Sequence, residues 1–234
     1  FPKIMSTSCC ACSHYVIING FYSNSSLYFT MLQGINLVCV RGDRELFQDV
    51  NFSLEAGGLM QVRGPNGSGK TSLLRMICGL SQPAAGDILW NGQTIRELEN
   101  DYFAAITYIG HLSGTKDDLT VLENLQISSA LAGTEISIDR AYEALHFIGL
   151  KGRETLPAKV LSQGQRRRVA LARLLVCKTP LWILDEPLVA LDVMAVKLIQ
   201  DILEKHLHNG GMAVLTTHQE IKISAASILE LQLA

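Results

Sequence analysis

A chain of 234 residues, 48% hydrophobic and 18% charged, can bury one well-packed domain with room for a smaller lobe. Its formal net charge of −2 offers no basic field, so no nucleic-acid partner is expected. No apolar run reaches the roughly 18 residues that a membrane-spanning helix needs.

In chain order, residues 1–30 stand apart. They begin with Phe1, and Met31 opens the first strand-like stretch, so a leader foreign to the domain is expected over 1–30 and the domain over 31–234. Cys9, Cys10, Cys12 and His14 lack the second CxxC pair that a zinc site uses. Cys39, Cys78 and Cys177 fall in apolar runs and read as buried thiols. Short strands near 35–40, 50–54 and 86–90, separated by turn signals such as Gly57-Gly58 and Asn91-Gly92, predict an antiparallel lobe.

Leu59-Met60-Gln61-Val62-Arg63 reads as a strand entering Gly64-Pro65-Asn66-Gly67-Ser68-Gly69-Lys70-Thr71. Ser72 and the apolar residues after it read as the helix leaving that loop, and Gly79 as its stop. The pattern G-x-x-x-x-G-K-[ST] is a phosphate loop. Its glycines let backbone N–H groups curl around an anion, and the helix N-terminus adds positive potential. Lys70 is expected to reach β- and γ-phosphates, and the Thr71 hydroxyl to bind Mg²⁺.

Strands near 59–63, 105–109, 181–185 and 212–216 predict a parallel core sheet, with a mainly helical stretch between His111 and Leu161. Leu181-Trp182-Ile183-Leu184 is uninterrupted, as a strand buried on both faces should be. It ends in Asp185-Glu186-Pro187, and ligands of open parallel sheets bind at the carboxyl ends of strands. Asp185 is therefore expected beside Thr71, holding Mg²⁺ through water, and Glu186 is expected to orient and deprotonate an attacking water.

With these motifs and Leu161-Ser162-Gln163-Gly164-Gln165, the chain resembles the ATP-binding cassette family over nearly all of residues 31–234. The resemblance implies an α/β P-loop NTPase with a parallel core sheet, an antiparallel β lobe and a helical subdomain at about 112–162. Gln163 replaces the usual glycine of the signature, and Ser162 reads as the N-cap of the following helix. In the family this helix start faces the γ-phosphate of ATP held by a second subunit, which suits its hydroxyl, free N–H groups and dipole. Arg166, Arg167 and Arg168 oppose that dipole, so either a facing triphosphate relieves them or they form a solvated face.

The resemblance further implies that Asp192, in Ala190-Leu191-Asp192, touches the opposite subunit. His218, after Leu215-Thr216-Thr217, stands as the switch histidine that contacts the γ-phosphate and the attacking water. Arg41 occupies the place of the family's adenine-stacking aromatic, and a guanidinium can also stack on a base. His111 replaces the glutamine that contacts Mg²⁺ and links the site to a membrane partner. One phosphate loop and one signature per chain imply a head-to-tail homodimer with two ATP molecules at its interface.

Within the family, Ile109-Gly110-His111, Lys116 and Leu119-Thr120-Val121-Leu122-Glu123-Asn124-Leu125 are similar to the ATP-binding subunits of cytochrome c maturation haem exporters. This implies a peripheral subunit on the cytoplasmic face of a bacterial inner membrane, bound to a separate integral membrane subunit. It would hydrolyse ATP to power haem export or release of a haem-loaded chaperone. An exporter of another substrate and a soluble ATP-dependent clamp stay open. The chain ends soon after His218, so no accessory C-terminal domain is expected.

Overall fold

The computed structural model describes residues 30–217, 221, 223–225 and 227–234. The leader expected over 1–30, except Thr30, and His218 lie outside the described residues.

Strands β1 (Met31–Arg41) and β2 (Arg44–Glu55) form a long antiparallel hairpin, with Arg41 opposite Arg44. Gly42, at φ 59, makes the tight turn. The hairpin is longer than the strands expected at 35–40 and 50–54. Register shifts between Gly34 and Val40 break the period-two pattern that betrays a strand in sequence.

β3 (Gly58–Arg63) leads into the phosphate loop and α1 (Lys70–Ile77). β4 (Ala85–Trp90) and β5 (Gln93–Thr94) complete the antiparallel sheet in the order β2-β1-β4-β5. The short α2 (Ile95–Leu98) and α3 (Asn100–Ala104) precede β6 (Ile106–Ile109). α4 (Val121–Leu131) and α5 (Ile138–Phe147) follow, then α6 (Gln163–Leu171) and α7 (Arg173–Val176). β7 (Leu181–Asp185), α8 (Val193–His208), β8 (Met212–Thr216) and β9 (Ser227–Gln232) close the series.

Strands β6-β7-β8-β3-β9 make a parallel sheet in that order. Its two faces feed two cores. Leu181, Ile183, Met212 and Val214 pack with α1 and the antiparallel sheet. Trp182, Leu184, Ala213 and Leu215 pack with apolar residues of α4, α5, α6 and α8. Side chains alternate across a strand, so five consecutive buried residues in β7 and in β8 satisfy both cores. Among the described residues, no helix is long and apolar enough to cross a membrane.

Two caps fix the helices that matter below. Thr120 accepts from the Glu123 N–H at the start of α4 while the Glu123 carboxylate accepts from the Thr120 N–H. Ser162 and Gln165 make the same reciprocal pair at the start of α6. Each cap is worth about 1 kcal/mol.

Candidate functional site

At the carboxyl end of β3, the loop from Gly64 to Gly69 wraps back on itself. Gly64, Gly67 and Gly69 take φ 149, 85 and 97, in the left-handed range that favours glycine. A Cβ on Gly64 would lie 2.6 Å from Ser68 Oγ, so the loop closes only around glycine. Lys70 Nζ donates to the carbonyls of Gly64 at 2.8 Å and Pro65 at 3.0 Å. Asn66, Gly67, Gly69, Lys70, Thr71 and Ser72 line a cavity of about 450 Å³, closed by Leu46, His111, Asp185, Glu186 and Val189.

The carboxyl end of β7 meets this loop. Asp185 is 2% exposed, and both its carboxylate oxygens are engaged. Oδ2 accepts from Thr71 Oγ1 at 2.9 Å, and Oδ1 accepts from Thr216 Oγ1 at 2.7 Å. Thr216 Oγ1 in turn accepts from the Glu186 N–H at 2.9 Å. Thr216 thereby ties the acidic pair to the end of β8. Glu186 sits at φ 50, a left-handed backbone that costs a non-glycine residue on the order of 1–3 kcal/mol.

Burial pushes the Tyr108 hydroxyl up to about 12, with the charges of Cys78 and Asp185 adding to it. The Cys78 thiol is also driven up, first by burial and then by Asp185. Both neighbours therefore stay neutral near pH 7 and bring no charge to the phosphate site.

The signature lies elsewhere. Gln163 lines a separate cavity of about 280 Å³ with Leu112, Ser113, Gly114, Thr115 and Arg166, and among the described residues His111 and Val189 border both cavities. Leu161 is buried as the anchor of the turn into α6. A Cβ on Gly164 would lie 2.4 Å from the Ala190 carbonyl, so this glycine lets the helix start approach the loop after β7. Asp192 caps α8 by accepting from the Ala195 N–H at 2.8 Å, and its other carboxylate oxygen pairs with Arg168.

Comparison with known proteins agrees with this geometry. Residues 47–189 match the profile of the family described as "ABC transporter". The chain belongs to the ABC transporter family. It is 67% identical over 202 residues to the cytochrome c biogenesis ATP-binding export protein CcmA of Nitrosospira multiformis, covering 86% of this chain and 98% of that one. The CcmA of Nitrosomonas europaea is 62% identical over 204 residues, covering 87% and 96%. Among solved structures, a dimeric ATP-binding cassette in a post-hydrolysis state bound to ADP and Pi superposes with a TM-score of 0.69 at 26% identity, covering 80% of this chain and 88% of that one.

In this ABC ATPase, one cavity thus gathers the phosphate loop, Thr71, Asp185, Glu186 and His111. It does not gather the signature, Asp192 or Arg41. Arg41 stands at the tip of the β1–β2 hairpin, and Leu46 lines the cavity instead. The solvated-face reading of the three arginines gives way, because each side chain is engaged by its own chain. Arg166 pairs with Asp117 at 2.5 Å, Arg168 pairs with Asp192, and Arg167 is buried at 3% exposure among backbone carbonyls. Sequence reasoning missed Arg167 and Thr216 as parts of the site. Arg167 had no distinguishing signal, since Arg166, Arg167 and Arg168 each precede two buried apolar residues by three and four positions.

Proposed function

We propose that this ATPase powers export in cytochrome c biogenesis, working as a head-to-tail homodimer on a separate integral membrane subunit at the cytoplasmic face of a bacterial inner membrane. The observation that carries the catalytic part is the chain of hydrogen bonds Thr71–Asp185–Thr216–Glu186, which holds the Asp185 carboxylate and the Glu186 backbone at the phosphate-loop cavity.

Among the described residues, no cluster of three or more His, Cys, Asp or Glu could cage a metal. One hydroxyl and one carboxylate, Thr71 and Asp185, would hold Mg²⁺, whose preference for oxygen ligands they fit. Bound there, the ion would supply positive charge against the phosphates. Lys70 exchanges its two carbonyl partners for the β- and γ-phosphates. Glu186 takes the proton of the attacking water. His111 approaches the same phosphate from the loop after β6, His218 acts as the switch histidine, and Arg41 flanks the adenine.

The separation of Ser162 and Gln163 from their own chain's phosphate loop supports closure by a second copy. Leu112, 84% exposed beside the cavity, supports contact with the membrane subunit around residues 111–125. The names of the relatives support cytochrome c biogenesis, and the group that c-type cytochromes attach covalently is haem. Haem export, or release of a haem-loaded chaperone, is the work the ATP drives.

Deleting the gene tests this. The expected result is loss of covalent haem from c-type cytochromes with b-type cytochromes intact. Normal c-type cytochromes in the deletion strain would leave an exporter of another substrate as the better reading.

A further inference from the structure

The Arg167 guanidinium makes five hydrogen bonds, all to backbone carbonyls. Nη1 donates to Gly110 at 2.6 Å and to His111 at 3.3 Å, in the loop after β6. Nη2 donates to Asp185 at 2.7 Å and to Glu186 at 2.8 Å, at the end of β7. Nε donates to Pro187 at 3.3 Å. Burial lowers its pKa while the charges of Asp185 and Glu186 raise it, and a guanidinium stays protonated through such a shift.

This arrangement has three physical consequences. The fork spans the ends of two neighbouring strands, β6 and β7, which no shorter or single-point donor can do. One of its acceptors is the carbonyl of Glu186, whose φ of 50 needs such a restraint. The side chain also belongs to α6, the signature helix, so movement of that helix is felt at the backbone of Glu186 and His111.

We propose that Arg167 is a positioning residue for ATP hydrolysis. It sets the backbone that carries Glu186 and His111, and it links the signature helix to the acid pair of its own chain. The inference rests on the reading of Glu186 as the base.

The test compares Arg167→Gln, Arg167→Lys, Glu186→Gln and Arg173→Gln. Arg173 serves as a structural control, because it donates to the Tyr108 carbonyl at 3.3 Å and lies outside the cavity lining. Turnover, ADP affinity and thermal midpoint are measured for each, well below its midpoint. Arg167→Gln is expected to lower kcat about a hundredfold, the cost of displacing a catalytic group by roughly 1 Å, with the ADP Kd within about threefold. Arg167→Lys keeps the charge but cannot span both loops, and is expected to lose at least about tenfold in kcat. It decides the matter if Arg167→Gln does not fold. Arg173→Gln is expected to lower the midpoint and leave kcat near normal. A folded Arg167→Lys with kcat within about threefold of the parent, or an equal kcat loss in Arg173→Gln, would overturn the proposal. Near-normal turnover in Glu186→Gln would instead reject the base assignment, so the two failures are distinct.

Discussion

At the phosphate loop, donors and acceptors from β3, α1, β7 and β8 converge on one cavity: Lys70, Thr71, Asp185 and Glu186 all line it, and Thr216 braces the acids from behind. At the start of α6 the same kinds of groups point elsewhere. Ser162 is occupied by its own cap, Arg168 by Asp192, and Arg166 by Asp117. The first region is assembled to grip a nucleotide within one chain. The second is a helix end closed by a reciprocal Ser162–Gln165 cap, with the positive end of its dipole outside the phosphate-loop cavity's lining. The contrast teaches that gripping the phosphates and presenting the signature fall to two separate, neighbouring cavities of the same fold.

The sharpest way to break the comparison is at Glu186. Glu186→Gln keeps the size of the side chain and removes the base. Steady-state phosphate release should fall by at least about a hundredfold. ATP should still bind, and ATP-dependent dimers should persist longer than in the parent. Next comes Lys70→Ala, which removes the cation from the gripping end only. Loss of a charge-assisted bond of roughly 1.5–3 kcal/mol should weaken ATP binding about ten- to a hundredfold in calorimetry, without a change in fold by circular dichroism. Unchanged ATP affinity would show that the cavity at Lys70 is not where phosphate sits.

A smaller effect is expected at the completing end. Ser162→Ala removes one half of the reciprocal cap with Gln165. It should cost about 1 kcal/mol in chemical denaturation, while ATP affinity of the isolated chain stays the same.

The smallest effect is expected where α8 packs on β7, outside the linings of both cavities. His206 stacks on Trp182 with ring centroids 3.6 Å apart and bonds the Met212 carbonyl at 3.1 Å. Burial lowers its pKa, against the bonds to Met212 and Pro180. The folded state therefore favours the neutral ring. Its contribution to stability is full above the unfolded value near pH ~6.5 and is lost as pH falls below it toward the folded value. Between about pH 7.5 and 5, the thermal midpoint of His206→Leu should fall less than that of the parent. Equal falls would show that His206 does not carry this pH dependence. ATP binding should be indifferent to the substitution.

Much of the gripping end was legible because its chemistry is local in sequence. The strand at 181–185 and the strand at 212–216 were placed to the residue, since burial on both faces leaves an unbroken apolar run. The loop between Gly64 and Thr71 carries its own glycines and lysine. Other features depend on distant partners. β9 was missed because Ser227–Gln232 is half exposed, and only pairing with β3 makes it a strand. Arg166, Arg167 and Arg168 read alike in sequence, yet successive residues on a helix point about 100° apart. One therefore enters the core while its neighbours meet separate carboxylates. The bracing role of Thr216 needed β8 beside β7, a pairing that the strands alone do not state.

On the proposed reading, each ATP is gripped by one chain and completed by the signature of a second. The most direct measurement is the mass in solution of Glu186→Gln, with and without ATP, compared with the same protein also carrying Ser162→Arg. Glu186→Gln alone should form an ATP-dependent dimer. The double variant should be a monomer that still binds ATP with unchanged affinity. A double variant that still dimerises with ATP, or that loses ATP binding along with the dimer, would contradict that reading.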